Sequence, residues 1–180
     1  MNRRLRRTAI VGATAVWFIV VIPACAEETE RTGVEVAATA GLTHYFLRRE
    51  SGTGLAAPGL RLMVWTPSNL ILRAGAAYSE IDIDRDEKVS VTVYDWSVGV
   101  LFQNHRVPGT FTFLSFVFGV WNDHPSQLLR ATTFFGWELG NHQALTKEIG
   151  LSILLSVKKS IGAEVEPVGV DVTAGIGLLL

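Results

Sequence analysis

The sequence predicts an all-β protein, a closed antiparallel up-and-down eight-stranded transmembrane β-barrel, and three observations carry this prediction. Apolar and non-apolar residues alternate with a period of two through most of the chain, which is typical of strands. The alternation falls into eight runs separated by segments rich in turn residues. One face of every run is apolar, and the other carries glycine, serine and charged residues.

The first 26 residues predict an export signal. Four arginines precede an uncharged apolar run from Ala9 to Ile22. This run has about 14 residues and ends at small residues, whereas a transmembrane helix needs about 20, so a signal peptide is favoured. Cleavage after Ala26 leaves residues 27–180 as the barrel domain. Acylation of Cys25 is the alternative, because residues 22–25 resemble the lipobox of bacterial lipoproteins.

Charge and composition exclude several functions. Without residues 1–26 the chain has 12 Lys and Arg against 17 Asp and Glu, a net charge of −5. Nucleic acid is therefore excluded as a partner, because phosphate binding needs a basic surface. The one cysteine, Cys25, rules out a disulfide framework and a cysteine-based metal site. His44, His105 and His142 have no spacing that would place two of them on one metal, and the sequence predicts neither metal nor cofactor.

The runs are predicted as strands in chain order: Gly33 to Leu47, Gly59 to Trp65, Leu70 to Ile81, Val89 to Gln103, Thr110 to Trp121, Leu128 to Gly140, Leu145 to Val157 and Val168 to Leu180. Tight turns and longer polar loops are expected to alternate between them, with the turns towards the periplasm. The predicted turns are Thr66 to Asn69, Asn104 to Gly109 and Asn141 to Ala144. The predicted outer loops are Arg48 to Pro58, Asp82 to Lys88, Asn122 to Gln127 and Lys158 to Pro167.

The glycine-rich face of the runs is predicted to line the barrel interior. A closed eight-stranded barrel is only just wide enough for side chains, so glycine and serine fit there beside a few long charged groups. Opposite charges on this face can neutralise one another, which avoids the cost of an isolated buried charge. The predicted interior polar network is Glu35, Arg61, Arg73, Asp95, Glu138 and Asp171. The apolar face then meets lipid, and closure pairs every backbone amide.

Aromatic residues gather towards the strand ends, as in the interfacial girdles of membrane barrels. One rim is expected to carry Phe46, Tyr78, Tyr94, Trp96 and Trp121. The other is expected to carry Trp65, Phe102, Phe111 and Trp137.

Over the whole mature length, this pattern resembles the small eight-stranded outer-membrane barrels of the OmpA and OmpX type. The resemblance implies a monomer in the outer membrane that contacts lipid and lipopolysaccharide and is inserted by the barrel-assembly machinery. It transfers no functional residue. One departure is the end of the chain, since such barrels usually finish on Phe or Trp and this one finishes on Leu180.

Three functions follow from these features. The first is a non-enzymatic barrel with a structural or surface-interaction role and an interior filled by its polar side chains. The second is a lipid A-modifying hydrolase, because His124, Ser126 and Glu138 resemble the catalytic residues of the PagL deacylases, with Ser126 as nucleophile and His124 as base. The third is a soluble lipocalin-like periplasmic lipoprotein that binds a small apolar ligand, with Gly119-Val120-Trp121 as its cue.

Overall fold

A computed structural model describes residues 32–46, 51–83, 88–103, 109–124, 132–161 and 167–180. Eight antiparallel strands form one closed up-and-down barrel, which confirms the predicted fold class. The strands are β1 (Gly33–Phe46), β2 (Ser51–Trp65), β3 (Leu70–Ile83), β4 (Lys88–Gln103), β5 (Thr110–His124), β6 (Thr132–Ala144), β7 (Ile149–Ser160) and β8 (Val168–Leu179). No helix among these residues is long and apolar enough to cross a membrane.

Pairing between β1 and β8 closes the barrel, so each strand has a hydrogen-bonded neighbour on both sides. Hydrogen-bonded partners followed once around the barrel from Ser90 return to β4 at Val100, ten residues further along. This stagger requires the strands to tilt by roughly 35 to 45° from the barrel axis.

The two ends of the barrel differ in what they carry. We call the end at which β1 begins and β8 ends the terminal end, and the opposite end the distal end. The β2–β3 and β6–β7 turns lie at the terminal end. Asn69 adopts a positive φ of 57° in the first turn, a conformation that asparagine tolerates. In the second, the Thr146 hydroxyl accepts hydrogen bonds from the amides of Glu148 and Ile149.

The prediction for the second strand was wrong at its beginning. β2 begins at Ser51, not at Gly59, so Pro58 lies within a strand instead of an outer loop. The register with β1 and β3 shifts between Ala56 and Gly59. Such an irregularity accommodates a proline, whose missing N–H would break a regular ladder.

The predicted bounds of the sixth and seventh strands were displaced by about four residues. β6 runs to Ala144 and β7 begins at Ile149, so the turn comprises residues 145–148 and not 141–144. Asn141 and His142 are residue types that favour turns. They continue β6 instead, because the barrel interior can hold a polar side chain such as that of His142. At its other end β7 extends through Lys158 to Ser160, within the segment predicted as an outer loop.

The outward face carries an apolar band around the middle of the barrel. We call it the outer band, and its exposed members include Leu42, Leu62, Leu72, Tyr94, Trp96, Val98, Val100, Phe116, Leu139, Leu155 and Ile176. Towards the distal end polar residues appear on the outward face of β1 to β7, beside exposed apolar residues such as Phe46 and Tyr78. This polar ring comprises His44, Thr53, Glu80, Thr92, Asn122, Thr133 and Lys159.

The inward face was predicted to carry small and polar side chains. It also carries large aromatic side chains. Trp65, Phe111 and Trp121 were expected at the rims but are buried in the interior. Successive side chains of a strand point to opposite faces of the sheet. Each of these three residues follows or precedes an outward residue of its own strand, so it points inwards. The other six predicted rim aromatics, Phe46, Tyr78, Tyr94, Trp96, Phe102 and Trp137, are exposed on the outward face.

Glycines make room for the interior rings. A side chain at Gly119 would come within 2.7 Å of the Phe134 ring and would clash with the carbonyl of Tyr94. A side chain at Gly140 would overlap the ring of Phe113. Small residues opposite large ones are how a narrow barrel reaches close packing.

Phe134 and Phe135 test the assignment of the two faces, because they are neighbours on β6 with exposed fractions of 0% and 38%. We expect Phe134→Ala to lower the free energy of unfolding by about 3 to 5 kcal/mol, since it leaves a cavity. Phe135→Ala loses chiefly its stacking on Phe116, worth about 1 kcal/mol. The measurement is urea unfolding of each variant in detergent micelles. Equal losses would contradict the assignment.

Candidate functional site in the barrel interior

The interior has three layers along the barrel axis. From the distal end, the inward side chains of β4 are Val89, Val91 and Val93, then Asp95 and Ser97, and finally Leu101 beyond Gly99. The apolar layer at the distal end, the distal cluster, comprises Tyr45, Ile81, Val89, Val91, Val93, Val117, Trp121 and Phe134. The layer at the other end, the terminal cluster, comprises Met63, Trp65, Ile71, Leu101, Phe111, Phe113 and Leu154. Between them lies the ionic layer, Arg61, Arg73, Asp95, Glu138, Lys158 and Asp171.

Arg73 links two carboxylates within the ionic layer. Its Nη1 lies 2.7 Å from Asp95 Oδ1, and its Nη2 lies 2.9 Å from Glu138 Oε2. Its Nε donates to Glu138 Oε1 and to the Ser97 hydroxyl. A planar guanidinium suits this arrangement, because its donors match several acceptors at fixed angles. Arg73 therefore joins β3, β4 and β6 across the interior.

Lys158 makes the second link. Its Nζ lies 3.1 Å from Asp95 Oδ2 and 2.8 Å from Asp171 Oδ2. Asp171 also accepts hydrogen bonds from the hydroxyls of Thr43 and Ser156. Phe134 of the distal cluster has its ring centroid 5.2 Å from the Lys158 ammonium. Asp95, shared by Arg73 and Lys158, is the centre of the network.

Arg61 lies in the same layer but bonds to hydroxyls. Its guanidinium donates to Ser152 Oγ at 3.1 Å and to Thr173 Oγ1 at 2.9 Å. It lines a cavity of about 50 Å³ together with Arg73, Asp95, Lys158 and Asp171. The three cations of the layer equal its three carboxylates in number. The layer is thus neutral overall, as a desolvated group of charges has to be.

All six residues of the predicted interior network face inwards and are buried. Five of them belong to the ionic layer. Glu35 lies apart, beside the terminal cluster, where His142 Nε2 is 3.0 Å from its Oε2. Sequence reasoning missed Lys158 and His142, which it assigned to a loop and to a turn. The signal was present, since both residues continue the inward parity of their strands.

The two apolar clusters bound the ionic layer above and below. In the distal cluster Trp121 stacks on Phe134 at 4.7 Å and meets Tyr45 edge-on at 5.2 Å. In the terminal cluster Trp65 contacts Phe111 and Phe113. Within the described part of the chain, no group of three or more His, Cys, Asp or Glu side chains could hold a metal ion.

The residues of the hydrolase alternative are not brought together by the described backbone. Glu138 pairs with Ser115 on β5, nine residues from His124 at the distal end of that strand. At about 3.3 Å per residue, this spacing corresponds to roughly 30 Å. The Glu138 carboxylate is bonded to Arg73 in the ionic layer. Ser126 lies outside the described residues.

This architecture is the fold of the small eight-stranded outer-membrane β-barrels. The chain is similar to the crystal structure of Neisserial surface protein A, with a TM-score of 0.67, 15% identity, and coverage of 83% of this chain and 98% of that one. OprG from Pseudomonas aeruginosa aligns with a TM-score of 0.49 and 12% identity, over 84% of this chain and 95% of that one. Ail of Yersinia pestis, crystallised with the heparin analogue sucrose octasulfate, aligns with a TM-score of 0.44 and 12% identity, over 82% and 99%.

No protein-family model matches the sequence, and no curated protein matches it. The likeness to Neisserial surface protein A therefore concerns the fold.

Arg73 and Arg61 provide a matched test of the ionic layer. We expect Arg73→Met to lower the free energy of unfolding by about 3 to 5 kcal/mol, because it leaves the buried Glu138 without its cation and Asp95 with Lys158 alone. Arg61→Met removes a cation bonded to two hydroxyls, and we expect a loss of about 1.5 to 3 kcal/mol. Both are measured by urea unfolding in detergent micelles. A larger loss for Arg61→Met would contradict the assigned network.

Proposed function

We propose that the protein is a non-enzymatic β-barrel of the bacterial outer membrane, with an interior closed to solutes and a structural or surface-interaction role. One observation carries the proposal. An uninterrupted apolar band surrounds a barrel whose interior is filled by charged and aromatic side chains.

The outer band supports a location in a membrane. Exposed apolar patches on soluble monomers rarely exceed a few hundred Å², whereas this band includes large side chains of all eight strands. A closed barrel leaves no unpaired sheet edge in the hydrocarbon layer. The export signal expected in residues 1–26 and the likeness to Neisserial surface protein A favour the outer membrane.

The three-layered interior supports a barrel that does not conduct. An ion moving along the axis would have to pass two layers of packed apolar side chains, each of which would remove its hydration shell. The same layers oppose the lipocalin alternative. The cavity in the ionic layer is about 50 Å³, and its lining includes all six charged residues of that layer, so it does not suit an apolar ligand.

The polar ring supports contact with the headgroup region at the distal end. Glu80, Thr92 and Lys159 follow directly above the outer band. We assign the distal end to the cell surface and the terminal end to the periplasm. The partners are outer-membrane lipid and lipopolysaccharide, with the barrel-assembly machinery during biogenesis and a monomer as the functional state.

Fractionation tests the location, and planar bilayers test the closed interior. We expect the protein in the outer-membrane fraction, migrating faster on a gel without heating than after boiling. We also expect no ion conductance from the purified protein in a planar bilayer. Recovery as a soluble periplasmic protein, or steady conductance, would overturn the corresponding part of the proposal.

Val98 provides a test of lipid contact. It lies at the centre of the apolar outward residues of β4, Tyr94 to Phe102, and is 44% exposed. Val98→Arg is expected to reduce outer-membrane assembly severely, because a lipid-facing arginine at mid-membrane costs about 2 to 4 kcal/mol. The control is Leu145→Arg, in the exposed turn after β6, where the cost is about 0 to 1 kcal/mol. Normal yield of the heat-modifiable form for Val98→Arg would show that this face does not meet lipid.

The hydrolase alternative is tested at Ser126. We expect lipid A from cells that express the natural protein to keep all its acyl chains, and the Ser126→Ala variant to give the same lipid A. Mass spectrometry of extracted lipid A is the measurement. Loss of an acyl chain that Ser126→Ala prevents would establish the enzyme.

A further inference from the structure

The outer band is indented at the terminal end of β5 and β6. On the other six strands, the outward residue nearest that end is apolar. These residues are Val34, Val64, Leu70, Phe102, Ile149 and Leu178. On β5 the two outward residues nearest that end are Thr110 and Thr112, and on β6 they are Asn141 and Gln143. We call these four polar side chains the terminal notch.

The strand register places the four side chains of the notch beside one another. Thr110 pairs with Gln143, and Thr112 pairs with Asn141. The apolar outward residues of β5 begin only at Leu114, so the notch occupies about 13 Å of strand at about 3.3 Å per residue. With strands tilted by roughly 35 to 45°, this length is about 10 Å along the barrel axis. The notch therefore takes a large part of an apolar band whose usual height is about 25 Å.

The two pairs of the notch differ in how well their polar atoms are satisfied. The Thr110 hydroxyl donates to Gln143 Oε1, Gln143 Nε2 donates to the carbonyl of Ala144, and both side chains are buried. Thr112 and Asn141 are only half-buried, and Asn141 Nδ2 donates to Thr112 Oγ1 at 3.3 Å. Among the described residues, the second amide hydrogen of Asn141 and the hydroxyl hydrogen of Thr112 have no acceptor. The pair thus offers two neutral donors to the surroundings of the barrel.

Large apolar side chains surround this pair. Phe102 pairs with Thr112 and is 56% exposed, while Leu114 and Leu139 follow the pair on the distal side and are 46% and 51% exposed. The flat wall of a second barrel would meet these side chains before it reached the pair. A slender group can pass between them. Since none of the four side chains of the notch is charged, a neutral acceptor suits the two donors.

We propose that Thr112 and Asn141 bind the glycerol ester group of a bilayer phospholipid, which enters the outer band at the terminal notch. This binding rests on the membrane location proposed above. In hydrocarbon the two donors would lose their bonds to water without replacement, which is unfavourable. Ester carbonyl oxygens accept such bonds, and they lie where the headgroups meet the acyl chains. The leaflet around the terminal end is then thinner beside β5 and β6 than elsewhere, which a bilayer accommodates at modest cost.

Spin labels at two outward positions of equal depth test the notch. One label replaces Leu114, at the border of the notch, and the other replaces Leu72 on β3, which is 45% exposed. Leu72 pairs with Val98, and Val98 pairs with Phe116. Pairing shifts by ten residues around eight strands, so the position on β5 level with Leu72 lies about 2.5 residues from Phe116 towards the terminal end, beside Leu114.

The labels are compared in phosphatidylcholine vesicles with a water-soluble nickel complex. We expect the Leu114→Cys label to be several-fold more accessible to nickel than the Leu72→Cys label. In the background Thr112→Val/Asn141→Leu the two accessibilities should become equal, because apolar side chains fill the notch and the headgroup withdraws. Low nickel accessibility at both sites of the natural protein would overturn the binding of lipid at the notch and leave the membrane location intact. High nickel accessibility at both sites would overturn both.

A second measurement keeps Thr112 and Asn141 in place and identifies the group that they bind. In nanodiscs of dimyristoyl phosphatidylcholine, the side-chain amide hydrogens of Asn141 should show nuclear Overhauser contacts to the glycerol hydrogens of the lipid. These amide signals are assigned by their loss in Asn141→Leu. The methyl groups of Val100, an outward residue of β4 that is 47% exposed, should instead contact chain methylenes. Contacts of the Asn141 amide with water alone, with chain methylenes alone, or with a differently labelled second copy of the protein would overturn the proposal.

Discussion

Closure of eight strands around a very narrow interior is the constraint on which the rest of the structure depends. Each strand is hydrogen-bonded on both sides, so alternate side chains have to point into a space only just wide enough for them. The inward residues must therefore fit one another in size and charge. Gly119 beside Phe134, and Gly140 beside Phe113, show the fit in size. Arg73 between Asp95 and Glu138 shows the fit in charge.

The chemistry of the two faces changes along the barrel axis. In the middle, ion pairs lie inside and apolar side chains outside. Towards the distal end the arrangement is partly reversed, since Val89, Val91 and Trp121 lie inside while the polar ring adds polar side chains outside. This reversal has a simple cause if the middle lies in lipid and the distal end in water, because each outward face then matches its solvent. Inside, a neutral ionic layer between two apolar clusters fills the space without leaving an unpaired charge.

The fold was predictable from the sequence because a period of two survives in every strand, and parity alone assigns most residues to a face. Composition misled the prediction at particular places. Pro58 and the glycines before it suggested a loop, yet the irregular pairing after Ala56 keeps them in β2. Asn141 and His142 suggested a turn, yet an interior that binds polar groups extends β6 through them. Which cation meets which carboxylate depends on register, and the ten-residue stagger that sets it cannot be read from local sequence.

The central claim, that the solvent of the outward face changes from water to lipid between Thr92 and Tyr94, can be measured along β4. Cys25 is the only cysteine and lies in the expected signal, so single spin labels can be attached at successive positions from Ser90 to Phe102. The structure predicts that Ser90 and Thr92 are accessible to a water-soluble nickel complex and that even positions from Tyr94 onwards are accessible to oxygen in the bilayer. Odd positions should be protected from both. Nickel accessibility at Trp96 and Val98, or oxygen accessibility at Asp95 and Ser97, would contradict it.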